Sequence, residues 1–553
     1  MERIWLQEYP KGVPAEVDFS THASLKCVIE ECCRKFADRR AFTNMGVSLT
    51  YAELERLGEQ FGSYLRNVAG LERGDRLALM MPNVLQYPIC VFGAMRSGIV
   101  IVNVNPMYTP RELEHQLSDS GAKAIVVVEN FAHTLQQVLD RVPIEHVILT
   151  GIGDMFPFPK SALTHFVLKR VKKLIPDYDV PGARRFRECL AEGARQPMPE
   201  EALTFDDIAF LQYTGGTTGV SKGAVLTHGN MVSNLLQAAA WLRPVTHEGQ
   251  EVLITALPLY HIFALLANCL TYSHLGAENI LITNPRDCDR FVATLKKIKF
   301  TGITGVNTLF NSLLNTPGFS ECDFSHLGVT LGGGMAVQRS VAEKWREVTG
   351  KPLIEAYGLT ETSPAACMNP MTNTRYNGSI GVPLPSTDVT IRNDEGIPLP
   401  IKEAGEICIR GPQVMRGYWN QSDETEKVMI DGEWLRTGDV GRMDERGYIY
   451  IEDRKKDMIL VSGFNVYPNE VESVAMSQGG ILEAAAIGIP HEKSGEIVKL
   501  FVVRKDPSLT EADVLAHCRE NLSAYKVPKV VEFRESLPKS NVGKILRRAL
   551  RDT

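Results

Sequence analysis

A chain of 553 residues is too long for one hydrophobic core, since cores stop growing near ~250–300 residues, so several subdomains are expected. Hydrophobic content of 44% beside 23% charged residues belongs to a globular protein rather than a disordered or fibrous one. The net charge of -6 argues against nucleic acid as the main partner, which would demand a basic surface. Eleven cysteines lie scattered without metal-ligand spacing, and Cys32 and Cys33 are adjacent, which fits a reducing, cytoplasmic compartment. The N-terminal Met-Glu-Arg-Ile-Trp-Leu-Gln-Glu has no basic region followed by an apolar run, so no signal peptide is expected. The longest apolar run, Leu257 to Leu270, carries His261 and falls short of the ~20 residues a membrane span needs.

Residues 1–130 alternate helical and strand patterns. Thr50 with Glu53 three residues on forms a capping box that opens a helix. The runs starting at Arg76, Gly98 and Ala122 look like buried strands separated by helices, which predicts a parallel α/β sheet. Residues 151–186 break that rhythm. Phe156-Pro-Phe-Pro leads into 160–175, where Leu163, Phe166, Val167, Val171, Leu174 and Ile175 share one helical face. Lys169, Arg170, Lys172 and Lys173 lie along or beside the other. A basic amphipathic helix is a membrane-surface pattern, although a helix packed on its own domain has the same spacing.

The stretch Tyr213 to Gly223 organises the centre of the chain. A short apolar strand from Asp207 precedes it, and helical spacing begins near Leu226. Between them stand Gly215, Gly216, Gly219 and Gly223, hydroxyls at Thr214, Thr217, Thr218 and Ser221, and Lys222. Glycines let backbone N–H groups turn inward around an anion, and hydroxyls and a lysine add donors, so the stretch reads as a phosphate cradle. The Walker A spacing does not fit it. Strand–loop–helix units continue to about residue 370, and their glycine-rich strand ends imply one shared ligand crevice. From about 377 the texture becomes antiparallel. Beyond Arg454-Lys-Lys-Asp457 a unit of roughly a hundred residues closes the chain, a normal size for a small domain.

Together these segments resemble the adenylate-forming superfamily of acyl-CoA and aryl-CoA synthetases, luciferases and peptide-synthetase adenylation domains. The segment from Asp431 to Gly463 is most similar to the signature of bacterial long-chain fatty acid–CoA ligases. The resemblance implies a large N-terminal domain of doubly wound sheets with a small β-barrel-like part (1–453), a hinge (454–457) and a small mobile α+β domain (458–553). It implies ATP and coenzyme A as substrates and Mg2+ as cofactor. Thr214, Gly215, Gly216, Thr217, Thr218, Gly219 and Lys222 would hold the phosphates, with Gly215 standing where many members have Ser. Gly333, Gly334, Tyr357, Gly358 and Thr360 would serve the nucleotide, Asp439 and Arg454 the ribose, and Glu361 with Thr217 the metal. Tyr260, His261, Leu265 and Gly463 would line the substrate, Lys456 would be the hinge residue, and Lys544 the catalytic lysine. Some long-chain members carry a tryptophan gate where this chain has Leu265, and many relatives have Pro where it has Asn307.

The expected reaction activates a long-chain fatty acid as acyl-AMP and passes the acyl group to coenzyme A. Ligases for medium-chain or aryl acids, and adenylating enzymes that load a carrier protein, share the motifs and stay open. A non-catalytic lipid-binding relative would not need Lys544, Glu361 and Asp439. Peripheral contact with the inner face of a membrane through 160–175 is a further expectation, and a homodimer stays open.

Overall fold

The computed structural model describes residues 2–214, 221–454, 456–462, 464–491, 494–540 and 543–551. Among them the strands form four sheets. The first runs, in spatial order, Gly417–Tyr418, Lys222–Thr227, Ile208–Thr214, Val100–Val104, Arg76–Met80, Ala124–Val128, His146–Thr150 and Arg184–Arg185. Its central pairs are parallel, as the strand–helix alternation predicts. Ala124–Val128 is buried at every position, which is why it reads as an unbroken apolar run. The second sheet centres on Val252–Thr255, Gly302–Gly305, Val329–Gly332 and Ile354–Gly358, joined in parallel by crossovers.

The two large sheets sandwich a common core. Side chains alternate across a strand, so Leu77 and Leu79 face one way and Ala78 and Met80 the other. The inner faces meet through Tyr87 and Phe92 of helix Gln86–Arg96 and Met231 and Leu235 of helix His228–Leu242, in a cluster that reaches Leu253 and Leu331 of the second sheet. These helices are buried nearly all round, as a position between two sheets requires. The capping box expected at Thr50 is present: its hydroxyl accepts from the Glu53 N–H, and the Glu53 carboxylate accepts from the Thr50 N–H.

The third sheet is antiparallel: Asp388–Arg392, Gly405–Arg410, Trp434–Met443 and Met429–Ile430, with Ile449–Arg454 paired to the long strand. The fourth sheet holds Ile459–Val461, Phe464–Val466, Ile481–His491, Gly495–Arg504 and Val530–Arg534. With helices Pro468–Met476, Glu511–Asn521 and Arg547–Arg551 it makes an α+β unit with a core of its own.

One local expectation is refined and one is corrected. The chain leaves the glycine-rich stretch as a strand, Lys222–Thr227, antiparallel to Ile208–Thr214, before Thr227 caps the helix that follows. Residues 215–220 between the two strands lie outside the described residues, and alternation in Lys222–Thr227 is masked because that strand is buried on both faces. The helix expected over 160–175 is shorter. It runs Lys160–Phe166 and closes with a wider turn over Val167–Val171, and Lys173 at φ 50° then reverses the chain and buries Ile175. The rest of the apolar face is left open: Phe158, Leu163, Phe166, Val171 and Leu174 are 52–87% exposed.

Candidate active site

The strand register pairs Thr214 with Lys222, which brings the two flanks of the glycine-rich stretch side by side. Gly215, Gly216, Thr217, Thr218 and Gly219 lie outside the described residues. Strand Gly417–Tyr418 adds to the hairpin's free edge, opposite Ala224 and Val225, and this brings Tyr418 beside Lys222. The Lys222 ammonium lies 5.2 Å from the Tyr418 ring centre and is ion-paired with Glu424. The Tyr418 hydroxyl donates to Glu361 Oε1 at 2.8 Å. Lys222 and Glu361, some 140 residues apart, are thus joined through one aromatic side chain. A cavity of about 310 Å³ opens here, lined by Glu361, Tyr418, Lys427, Thr437 and Gly438 among others.

Glu361 sits in the short helical turn Thr360–Thr362, and its carbonyl accepts from the Met415 N–H. The turn is placed by Gly358, where a Cβ would stand 1.8 Å from the Pro364 carbonyl oxygen, so only glycine allows this approach. Gly333 presses on Phe263, whose ring a Cβ would meet at 3.2 Å, and Gly334 turns the chain at φ 76°. The Tyr357 hydroxyl donates to Asp439 Oδ2 at 2.7 Å, and Arg454 Nε stands 3.3 Å from Oδ1. Strand register sets Asp439 directly opposite Arg454. Each oxygen of this buried carboxylate therefore has a fixed partner and keeps a free lone pair for a hydroxyl.

Tyr260 and His261 follow the strand Val252–Thr255. A relay of buried amides fixes them: the Asn103 amide donates to Gln212 Oε1 (2.9 Å), and the Gln212 amide donates to the Tyr260 carbonyl (2.8 Å). Gln212 belongs to strand Ile208–Thr214, so the loop bearing Tyr260 is tied to the strand that leads into the glycine-rich stretch. His261 Nδ1 accepts from the Phe263 N–H at 3.3 Å, and burial with the nearby Lys544 cation pushes the imidazole down to about 4, so it is neutral at physiological pH. Leu265, Ile262 and Leu266 are packed in the central core, and Leu265 has no exposed surface. It lies at the second position of the wide helical turn Ala264–Thr271.

The C-terminal unit is docked on this crevice. The Thr308 hydroxyl donates to the Gly543 carbonyl at 2.9 Å, and the Asn311 amide donates to the Leu482 carbonyl at 3.1 Å. Lys544 follows Gly543 directly. Burial pushes its ammonium down to about 8, helped by the Arg454, Arg547 and Lys456 cations and opposed by Asp439. Lys456 is likewise pushed down to about 8 by burial and by Arg454. The tail thus brings Lys544 into the electrostatic range of both Asp439 and His261, although 283 positions separate it from the histidine. Gly463 lies outside the described residues.

Three residues that the motifs do not mark take part. Tyr418 and Glu424 reach Lys222 only through strand pairing across two hundred residues, which leaves no local signal. Asn307 is buried, and its side-chain oxygen accepts from the Gln338 N–H at 3.0 Å, tying the loop after Gly334 to the helix that carries Thr308.

Sequence and structure comparisons establish the family. Residues 29–419 match the AMP-binding enzyme family and residues 470–544 the AMP-binding enzyme C-terminal domain. The chain belongs to the AMP-binding, adenylate-forming enzymes. Among its relatives, a protein of Yersinia pestis named long-chain-fatty-acid–CoA ligase is 56% identical over all of this chain and 98% of that one. One of the same name from Escherichia coli is 54% identical over the same shares. The crystal structure of an anthranilate CoA ligase in complex with anthranoyl-AMP superposes with a TM-score of 0.86 at 25% identity, covering 97% of this chain and 98% of that one.

The Lys544 environment predicts a pH profile. A lysine held near 8 is charged below that pH and neutral above it, so kcat/KM for acyl-AMP formation should fall as pH rises through about 8. Lys456 titrates in the same window, so the decisive comparison is Lys544→Arg, whose charge persists throughout. That variant should lose the alkaline limb while running slower; an unchanged limb would assign it elsewhere.

Proposed function

We propose that this chain is an AMP-forming fatty acid–CoA ligase acting on long-chain acids: it joins a fatty acid to AMP from ATP, releasing pyrophosphate, and then transfers the acyl group to coenzyme A. Lys544, tied to the large domain through the neighbouring Thr308–Gly543 contact and within electrostatic range of Asp439 and His261, carries this reading, and the full-length likeness to long-chain-fatty-acid–CoA ligases supports it.

A carboxylate approaching a triphosphate meets like charge: two unit charges ~4 Å apart repel by about 4 kcal/mol at an effective dielectric near 20. In-line attack at the α-phosphate therefore needs positioning and positive charge more than a protein nucleophile. Lys544 supplies the cation between fatty carboxylate and α-phosphate. Asp439 accepts the ribose hydroxyls, with Tyr357 and Arg454 fixing its oxygens. Lys222 and the glycine turn take the β- and γ-phosphates, Lys222 exchanging Glu424 for phosphate. The neutral His261 lets the acid approach without trapping it in an ion pair.

Among the described residues, no group of three or more His, Cys, Asp or Glu side chains could hold a metal. One carboxylate, Glu361, oriented by Tyr418, fits Mg2+ that arrives on the nucleotide and keeps phosphate oxygens and waters as its other ligands. Bound there, the ion would neutralise phosphate charge.

Each buried methylene contributes ~0.8 kcal/mol, so a chain of sixteen carbons gains on the order of 10 kcal/mol before ordering costs. The apolar segment 262–266 is where we place the acyl chain. Leu265 is closed against the core in this structure, so the chain enters by repacking the wide turn Ala264–Thr271, a rare helix form that recurs at functional sites.

We assign 1–453 to the large domain, 454–457 to a hinge and 458–553 to a mobile domain that turns about Lys456 once acyl-AMP has formed, clearing Lys544 from the path of the thiol. Cytoplasmic and peripheral placement completes the proposal. No helix among the described residues is long and apolar enough to cross a membrane. The open apolar face of 158–174, beside Lys169, Arg170, Lys172 and Lys173, suits the surface of an anionic bilayer that presents fatty acids.

Pyrophosphate release on adding ATP and a series of fatty acids tests the activity. Long chains should be preferred, and a maximum at aryl or medium-chain acids would contradict the assignment. Lys544→Ala should lower acyl-AMP formation by about a hundred-fold or more while sparing thioester formation from supplied acyl-AMP. An equal loss in both steps would contradict the swing. Exchanging Lys169, Arg170, Lys172 and Lys173 for Gln should abolish co-sedimentation with phosphatidylglycerol vesicles and leave activity on dispersed acid intact. Unchanged sedimentation would remove the membrane assignment.

A further inference from the structure

Arg547, three residues beyond Lys544, is the most heavily engaged cation of the small domain. Its guanidinium contacts Glu472 Oε1 and Oε2 at 2.9 and 2.8 Å, Asn469 Oδ1 at 2.5 Å, Asp453 Oδ1 at 3.0 Å and Asp457 Oδ2 at 3.6 Å. Glu472 and Asn469 belong to helix Pro468–Met476, so those bonds clamp the tail onto its own domain. Asp453 is different. It ends the strand Ile449–Arg454, opposite Val440 on the sheet that carries Asp439, and precedes the Lys456 pivot by three residues. Its side chain is wholly buried, with Oδ2 accepting the Asn469 N–H at 2.8 Å and Oδ1 taking the Arg454 N–H at 2.7 Å.

We infer that Asp453 and Arg547 form a socket that positions Lys544: the carboxylate of the large domain plugs into a guanidinium and an N–H of the small one, fixing the tail in the orientation that makes acyl-AMP. The clamp on Glu472 and Asn469 makes the socket rigid, and the contact to Asp453 selects the docked orientation. A buried, hydrogen-bonded charge pair suits this task because it tolerates little displacement: moving one partner away strands the other. Turning about Lys456 carries Asn469, Glu472 and Arg547 with the small domain and leaves Asp453 behind, so the swing must empty the socket. Neither residue touches substrate in this arrangement. Both act through the lysine.

The inference rests on the proposed two-step reaction and swing, and its test separates the two. Asp453→Asn keeps the shape but removes the charge and leaves one oxygen in place of two, so that an amide NH2 faces one of the N–H donors. It should slow acyl-AMP formation roughly ten-fold while acyl transfer to coenzyme A from supplied acyl-AMP stays within about two-fold. Arg547→Lys, which keeps charge without the planar fork, should show the same split, and serves if the first variant folds poorly. A second readout needs no turnover. A Cβ at Gly543 stands 4.0 Å from Thr308 Cβ, within disulfide range, so a Thr308→Cys, Gly543→Cys pair reports the docked orientation by oxidative cross-linking. Asp453→Asn in that background should cross-link several-fold more slowly. Equal loss in both half-reactions, or unchanged rates together with unchanged cross-linking, would overturn the socket. An absence of pyrophosphate release from the unsubstituted protein would instead fault the proposed reaction, leaving the cross-linking result to stand on its own.

Discussion

The crevice depends on crowding positive charge around one carboxylate. Asp439 faces Arg454 across a strand pair, while Lys544 and Lys456 approach from the tail and the hinge. Burial pushes both lysines down to about 8, and the neighbouring Arg454 cation adds to the shift. Such a site is electrostatically incomplete until anions arrive. In the proposed reaction a triphosphate and a carboxylate would supply the missing charge, so that the repulsion between the two substrates in water would be converted into attraction to a common set of donors. The affinity for the nucleotide and the chemistry then have the same origin.

Rigidity elsewhere makes that charge useful. The phosphate hairpin, the Tyr260–His261 loop and the Glu361 turn come from segments far apart in the chain, yet each is tied to another by a buried polar contact: Gln212 to Tyr260, Tyr418 to Glu361, Asn307 to Gln338. Buried polar contacts of this kind hold only one geometry well, because a small shift leaves a donor or acceptor without a partner. The two large sheets provide the frame. The C-terminal unit meets it through polar contacts at Thr308–Gly543, Asn311–Leu482, Asp453–Arg547 and Asp453–Asn469.

What could be read from the sequence follows the range of the interactions. The Thr50–Glu53 box and the buried strands at Arg76 and Ala124 rest on neighbours within a few residues and appear as expected. The strand that follows the glycine-rich stretch did not show, because Lys222–Thr227 is buried on both faces and lacks alternation. The amphipathic pattern at 160–175 identified the apolar face and missed the reversal at Lys173, a backbone conformation that no side-chain periodicity encodes. Tyr418, Glu424 and Arg547 were illegible for one reason: their partners are 57 to 202 residues away and are delivered by strand pairing or domain docking. Lys544 and Asp439 were reached through resemblance to a family, since by spacing alone a lysine in a basic tail and an aspartate in a turn are unremarkable.

The most direct test of this account is a crystal structure with a non-hydrolysable acyl-sulfamoyl-adenosine, which mimics the mixed anhydride. The account predicts the Lys544 amine within about 3 Å of the sulfamoyl oxygens, the ribose hydroxyls on Asp439, and the Thr308–Gly543 contact intact. A complex with that ligand fully bound, the small domain docked as here and the lysine turned away from the sulfamoyl group would contradict it.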